Sequence, residues 1–160
     1  MLSTYHTHIA ERAAVGLPPL PLNAEQVASL VELLKVTPAS SSDVTELVDL
    51  LENRIPAGVD QAAYVKAAFL ADVAKGVAKS ALVSPHHAVK LLGTMLGGYN
   101  VQALVALLDS SDTALAAEAG SILSHTILMF DAYHDVATKM KAGNAHAKKK
   151  QVDHFFTAAT

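Results

Sequence analysis

The 160 residues carry 12 Lys and Arg against 15 Asp and Glu, a formal net charge of −3, and no cysteine. That balance gives no overall attraction to a polyanion, and the missing thiols exclude disulfides, thiolate zinc sites and cysteine nucleophiles from this chain. With 51% apolar residues but only 5% aromatic and no Trp, the expectation is one domain over residues 1–160 whose core is built from Ala, Leu and Val.

The start, MLSTYHTHIAERAAVG, lacks the basic end and apolar centre of a secretion signal. No apolar run approaches the ~20 residues needed to span a bilayer. A cytoplasmic protein with no membrane partner is therefore expected. Residues 3–14 predict a first helix, with Tyr5, Ile9 and Ala13 on one side. Pro18, Pro19 and Pro21 then force an extended segment. Asn23 with Gln26 reads as a box-like N-terminal cap for a helix carrying Val27, Leu30, Val31 and Leu34. Asp43 and Glu46 open a third helix, with Leu47, Leu50 and Leu51 facing inward. Residues 55–59 read as a turn, and Asp60 caps a fourth helix that carries Tyr64, Ala67, Ala68, Ala71 and Val73.

The densest pattern lies in residues 84–130. Ser84-Pro85 opens a helix with apolar residues at Ala88, Leu91, Leu92, Met95 and Leu96, and Gly97-Gly98 is expected to stop it. Asn100 is expected to cap the next helix, over Val101, Leu104, Val105, Leu107 and Leu108. After the polar turn Asp109-Ser110-Ser111-Asp112, a further stripe runs through Leu115, Ala119, Ile122, Leu123, Thr126 and Ile127, and 131–141 continue or restart that helix. Gly143-Asn144 breaks it before a last helix with Ala147, Gln151, Phe155 and Phe156. No stretch alternates as a half-buried strand would. The expectation is an all-α fold of about eight helices, a HEAT-like α-solenoid stacked right-handedly from antiparallel helix pairs that cover one another's apolar faces.

Chemistry-bearing residues are sparse. His6 and His8, and the neighbours His86 and His87, project to different helix faces and do not share an ion. Asp131, His134 and Asp135 share a face, but no second such copy exists to complete a metal site. His125, between apolar neighbours, reads as a core histidine bonded to a nearby backbone group or hydroxyl. Ser124 beside it has no nucleophile elbow, and on a helix the two side chains would diverge. No catalytic residue and no metal ligand is assigned. Residues 1–138 hold 7 Lys and Arg against 14 Asp and Glu, whereas 139–160 hold 5 against 1. Lys139, Lys141, Lys148, Lys149 and Lys150 in this basic terminal segment are the nucleic-acid candidates, capable of salt-sensitive phosphate contacts but without an aromatic platform for bases. A solvated helix face is the plainer reading of them.

AERAAVGLPPLPLNAEQVASLVELL (10–34), RIPAGVDQAAYVKAAFLADVAKG (54–76), LLGTMLGGYN (91–100), SHTILMFDAYHDV (124–136) and KAGN (141–144) resemble, in order, the N-terminal domain of bacterial aconitase B. The resemblance implies a HEAT-like domain ahead of the catalytic domains of a citrate–isocitrate hydratase of the tricarboxylic acid cycle. It implies contacts with those domains or with a second copy (a dimer), a place beside the substrate channel, and an iron-responsive switch toward mRNA. The 4Fe-4S cluster it implies belongs to cysteine-bearing domains absent from these residues, so no cofactor is expected in this chain. The expected function is a non-catalytic interaction or regulatory domain, with Gly97, Tyr99 and Asn100 as the interface residues. An RNA-binding regulatory module using residues 139–150 is the alternative.

Overall fold

The computed structural model describes residues 1–126, Leu128 and 130–147, with only the backbone of Phe130. Among the described residues there are eight helices and no strand: α1 (Leu2–Ala14), α2 (Ala24–Val36), α3 (Val44–Asn53), α4 (Gln61–Ala74), α5 (Pro85–Gly93), α6 (Val101–Leu107), α7 (Thr113–Leu123) and α8 (Phe130–Lys141). The all-α expectation therefore stands. Helix α4 packs against α2 on one side and α5 on the other, α5 continues onto α7, α3 leans on α2, and α6 meets α7 and α8. The spine of the core is aliphatic, with Leu30, Leu34, Leu51, Leu70, Leu92 and Leu104 closed to solvent. Fully burying each such side chain contributes about 1.5–3 kcal/mol. Ala62, Ala63, Ala67 and Ala74 line the buried side of α4, where small side chains let flanking helices approach closely.

Most helix starts follow from their caps. Asn23 and Gln26 form the full reciprocal box, each side chain accepting from the other's backbone N–H at 2.9 Å. Asp60 accepts from the N–H of Ala62, Ser84 from that of His87, and Asp112 from those of Ala114 and Leu115. The proline segment is strapped down by Arg54. Its Nε donates to the Tyr5 hydroxyl and its Nη2 to the Pro19 carbonyl, both at 2.9 Å, while its own carbonyl accepts from the Leu22 N–H at 2.8 Å. Tyr5 is buried as expected, but Ala13 on the same helix is exposed.

Several expectations fail, each where a side chain takes a backbone carbonyl or a loop turns outward. Helix α5 ends at Gly93 rather than at Gly97-Gly98. The Leu92 carbonyl, which a continuing helix would offer to the N–H of Leu96, is taken by the Asn100 side-chain amide at 2.6 Å, and the Leu96 N–H bonds instead to Ala57 O at 2.9 Å. Asn100 therefore does not cap α6; its side chain is 2% exposed and turned inward. Leu96 and Tyr64, expected on inward stripes, are 66% and 55% exposed. Helix α7 stops at Leu123, because three consecutive side chains compete for its last carbonyls. Ser124 Oγ donates to Ser121 O, His125 Nδ1–H to the same oxygen, and Thr126 Oγ1 to Ile122 O. His125 thus bonds to a backbone carbonyl, but it is exposed rather than in the core. In that turn Ser124 Oγ lies 3.1 Å from His125 Nδ1, so the pair does not diverge. Ile127, and the last helix with Gln151, Phe155 and Phe156, lie outside the described residues; Ala147 is buried.

Lys66, in the second turn of α4, is 2% exposed. Burial pulls its ammonium below the ordinary 10.5, and the attraction of Glu52 offsets this only in part. The unfolded chain therefore binds more protons than the folded one between that lowered value and 10.5, and stability rises with pH across the window. We expect Lys66→Met to remove this rise, read as the difference in urea midpoints between variant and wild type from pH 7 to 10.5. Asn100→Ala removes the amide donor from the Leu92 carbonyl, which keeps only the Met95 N–H at 3.1 Å, and should cost about 0.5–1.5 kcal/mol in the same assay.

Candidate docking surface

Two loops meet beyond the ends of α3 and α5. Residues 54–60 join α3 to α4, and residues 94–100 join α5 to α6. The Leu96 N–H to Ala57 O bond ties them together. Gly58 lies so close that an added Cβ would stand 2.3 Å from Leu96 O, so no other residue fits there without moving the loop. The next residue, Val59, has φ +58°, a left-handed conformation costing a β-branched residue about 1–3 kcal/mol. Its side chain is 85% exposed. Tyr99 is half-buried and meets Tyr64 edge to face, with ring centroids 4.1 Å apart and planes at 83°. Burial, and after it the neighbouring Tyr64, raises the Tyr99 phenol above its ordinary 10.0. Gly97, at φ +77°, keeps the loop close against the Tyr99 ring. The result is a fixed apolar rim of Val59, Tyr64, Leu96 and Tyr99.

Of the three residues expected to form an interface, Gly97 and Tyr99 lie on this rim. Asn100 lies beneath it, building the loop rather than facing out. Val59, Tyr64 and Leu96 stand beside them on the exposed rim. Tyr64 and Leu96 fit helical stripes in the sequence, which predict them in the core. Val59 carried a signal in Ala57-Gly58-Val59-Asp60, a β-branched apolar residue set in a turn with no helical partner position.

The histidines disperse as their spacing implied. His6 Nε2 contacts Glu46, His8 Nε2 accepts from the Leu20 N–H, His87 Nε2 meets Glu52 at 2.8 Å, and His86 Nδ1 meets Glu118 at 2.8 Å with Asp112 3.9 Å from its other nitrogen. Asp135 is in contact with Gln102, and the ring of His134 with that of Tyr133. Among the described residues no group of three or more His, Asp and Glu is arranged to hold a metal ion. A cluster ligated by thiolates does not fit this chain, which has no cysteine.

The basic segment is only partly on view. Lys139 Nζ donates to Asp109, and this bond is the main reason the Asp109 carboxyl is held below the ordinary carboxylate range. Asn144 donates to the same carboxylate and to the Leu108 carbonyl, fixing the chain after α8 against the end of α6. Lys141 is exposed; Lys148, Lys149 and Lys150 lie outside the described residues. Surface grooves of about 390 Å³ and 360 Å³ occur on α1 and between α6 and α8, the second lined by Gln102, Val105, Ala106, Asp135, Thr138 and Lys139. Among the described residues, no helix is long and apolar enough to cross a membrane.

Comparison with known proteins matches residues 4–158 to the family model of the aconitate B N-terminal domain. Aconitate hydratase B of Escherichia coli (strain K12) is 57% identical over 93% of this chain and 17% of the relative. The Pseudomonas aeruginosa protein of that name is also 57% identical, over 92% and 17%. That of Helicobacter pylori (strain J99) is 40% identical over the same shares, 92% and 17%. The chain thus spans about a sixth of the length of the curated relatives it matches. It belongs to the aconitate B N-terminal domain family.

Proposed function

We propose that this chain is a non-catalytic docking domain of an aconitate hydratase B-type enzyme, and that it seats on the polypeptide corresponding to the rest of its relatives through the rim of Val59, Tyr64, Leu96 and Tyr99. Its helix pairs read as a HEAT-like stack, and its place of work as the cytoplasm. The citrate–isocitrate chemistry belongs, in this reading, to the other domains, along with the iron–sulfur cluster and the cysteines that hold it. One observation carries the proposal. A valine sits in a strained backbone conformation with its side chain in water, beside two more large apolar groups that are also solvent-facing. All three are more than half exposed, and an apolar patch of this kind suits contact with another protein surface. The relatives, roughly six times longer by their 17% coverage, point to the remainder of such an enzyme as the occupant.

The test is to titrate the 160-residue chain against the complementary part of an aconitate hydratase B, by calorimetry, with Leu96→Asp and Val59→Gly alongside wild type. Leu96→Asp should weaken association at least about tenfold, since it places a charge in a desolvated contact. Val59→Gly relieves the backbone strain, so the chain should become more stable to heat while its association weakens. Association unaltered by both variants would sink the rim as the docking surface. Self-association of the chain abolished by Leu96→Asp, without binding to the complementary part, would replace that occupant with a second copy.

A further inference from the structure

Among the described residues, the exposed large apolar side chains gather where an odd-numbered helix connects to the next even one. Val15, Leu17 and Leu20 lie between α1 and α2, Val59 between α3 and α4, and Leu96 between α5 and α6, with Tyr64 in the first turn of α4. Only Val36 and Val77, at or just past the C-terminal ends of α2 and α4, fall elsewhere. The three connections are bonded side by side. Arg54 Nη2 donates to Pro19 O at 2.9 Å and Arg54 O accepts from the Leu22 N–H at 2.8 Å, which lays the proline segment against the start of loop 54–60. The Leu96 N–H to Ala57 O bond lays loop 94–100 against its middle. Val59 is five residues past Arg54, so the two are at most about 18 Å apart.

The proline segment is a rigid ridge. Pro18, Pro19 and Pro21 have fixed φ. The Pro18 carbonyl accepts from Arg12 Nε at 2.9 Å, the Leu17 N–H donates to Arg12 O at 3.0 Å, and the Leu20 N–H donates to His8 Nε2 at 3.1 Å. Leu22, fully buried, roots the segment in the core, while Leu17 and Leu20 are 47% and 52% exposed. We propose that Leu17 and Leu20 are a second ridge of the docking surface whose first part is the rim, a role that rests on the rim's own, and that the polypeptide corresponding to the rest of the relatives meets this ridge with an apolar groove. Extended proline-rich segments dock in such grooves because their shape is set beforehand and little freedom is lost on contact. The occupant is the rim's, because ridge and rim share one bonded edge and the relatives carry roughly six times the length of this chain by their 17% coverage. An ordinary stable contact covers about 800 Å² on each partner, wide enough to include both.

The experiment titrates the 160-residue chain against the complementary part of an aconitate hydratase B by calorimetry. The variants are Leu17→Ser with Leu20→Ser, Leu96→Asp, and Val36→Ser with Val77→Ser as an off-edge control. The ridge variant should weaken association at least about fivefold, with the control unaltered. Hydroxyl-radical footprinting of the wild-type chain is the second readout, and Leu17 and Leu20 should become protected when the complementary part is added. Should the ridge variant not fold, that footprint decides alone: protection supports the ridge and its absence overturns it. A silent ridge variant beside a weakened Leu96→Asp would remove the ridge and leave the rim standing. The reverse pattern would remove the rim and keep the ridge as the contact. Equal weakening by the control pair, or no association of the wild-type chain, would overturn the ridge.

Discussion

The domain's recognisable surface depends on one substitution of partners at a helix end. In an unbroken α5 the carbonyl of Leu92 would accept from the fourth residue on. Here a buried asparagine from the start of α6 takes that oxygen, at 2.6 Å, and also reaches Met95 O at 3.4 Å. With its usual acceptor occupied, Leu96 turns its N–H across to Ala57 and its side chain out to water. The change from helix to loop is thus paired across two connections at once. The second loop accommodates the first only because Gly58 lacks a Cβ. Tyr99 then braces the second loop against α4, its ring edge to face with that of Tyr64.

Polar side chains elsewhere do similar work at element boundaries. Arg54 reaches α1 through Tyr5 and the proline segment through Pro19. Ser80 donates to Leu34 O at 2.6 Å and accepts from the N–H groups of Leu82 and Val83, fastening the α4–α5 connection to the end of α2. Asn144 does the same for the segment after α8. These bonds matter more than their number suggests, because the helices themselves are held by aliphatic contacts that constrain direction weakly. The aliphatic core decides that the helices associate, whereas the buried polar contacts decide where each one stops and how its loop is aimed.

This division explains what could be read from the sequence. Apolar spacing located Leu30, Leu34, Leu50, Leu51, Leu92 and Leu104 in the core, and capping residues located the starts of α2, α4 and α5, because both signals are local and act within one or two turns. The ends of α5 and α7 were not legible. Asn100 bonding to Leu92 is a tertiary choice against a local one, and Asn100 would serve equally well as a cap. Ser124, His125 and Thr126 each fit the stripe or its flank until their side chains take backbone carbonyls. The same ambiguity hid Leu96 and Tyr64, whose spacing matches a buried stripe while the surrounding loops turn them outward. Gly97 and Tyr99 were legible as a surface turn, but not the strained valine that joins them.

The Arg54 strap has a consequence for how the polypeptide tolerates being cut. Leu17 and Leu20 protrude beside the prolines, so this stretch is open to a protease. A nick there would leave each fragment anchored: the upstream piece by Tyr5 on Arg54, the downstream piece by Leu22 on the Arg54 carbonyl. After such a cut, helix α1 would be joined to α3 and its following loop only through side-chain contacts, Tyr5 with Arg54 and His6 with Glu46.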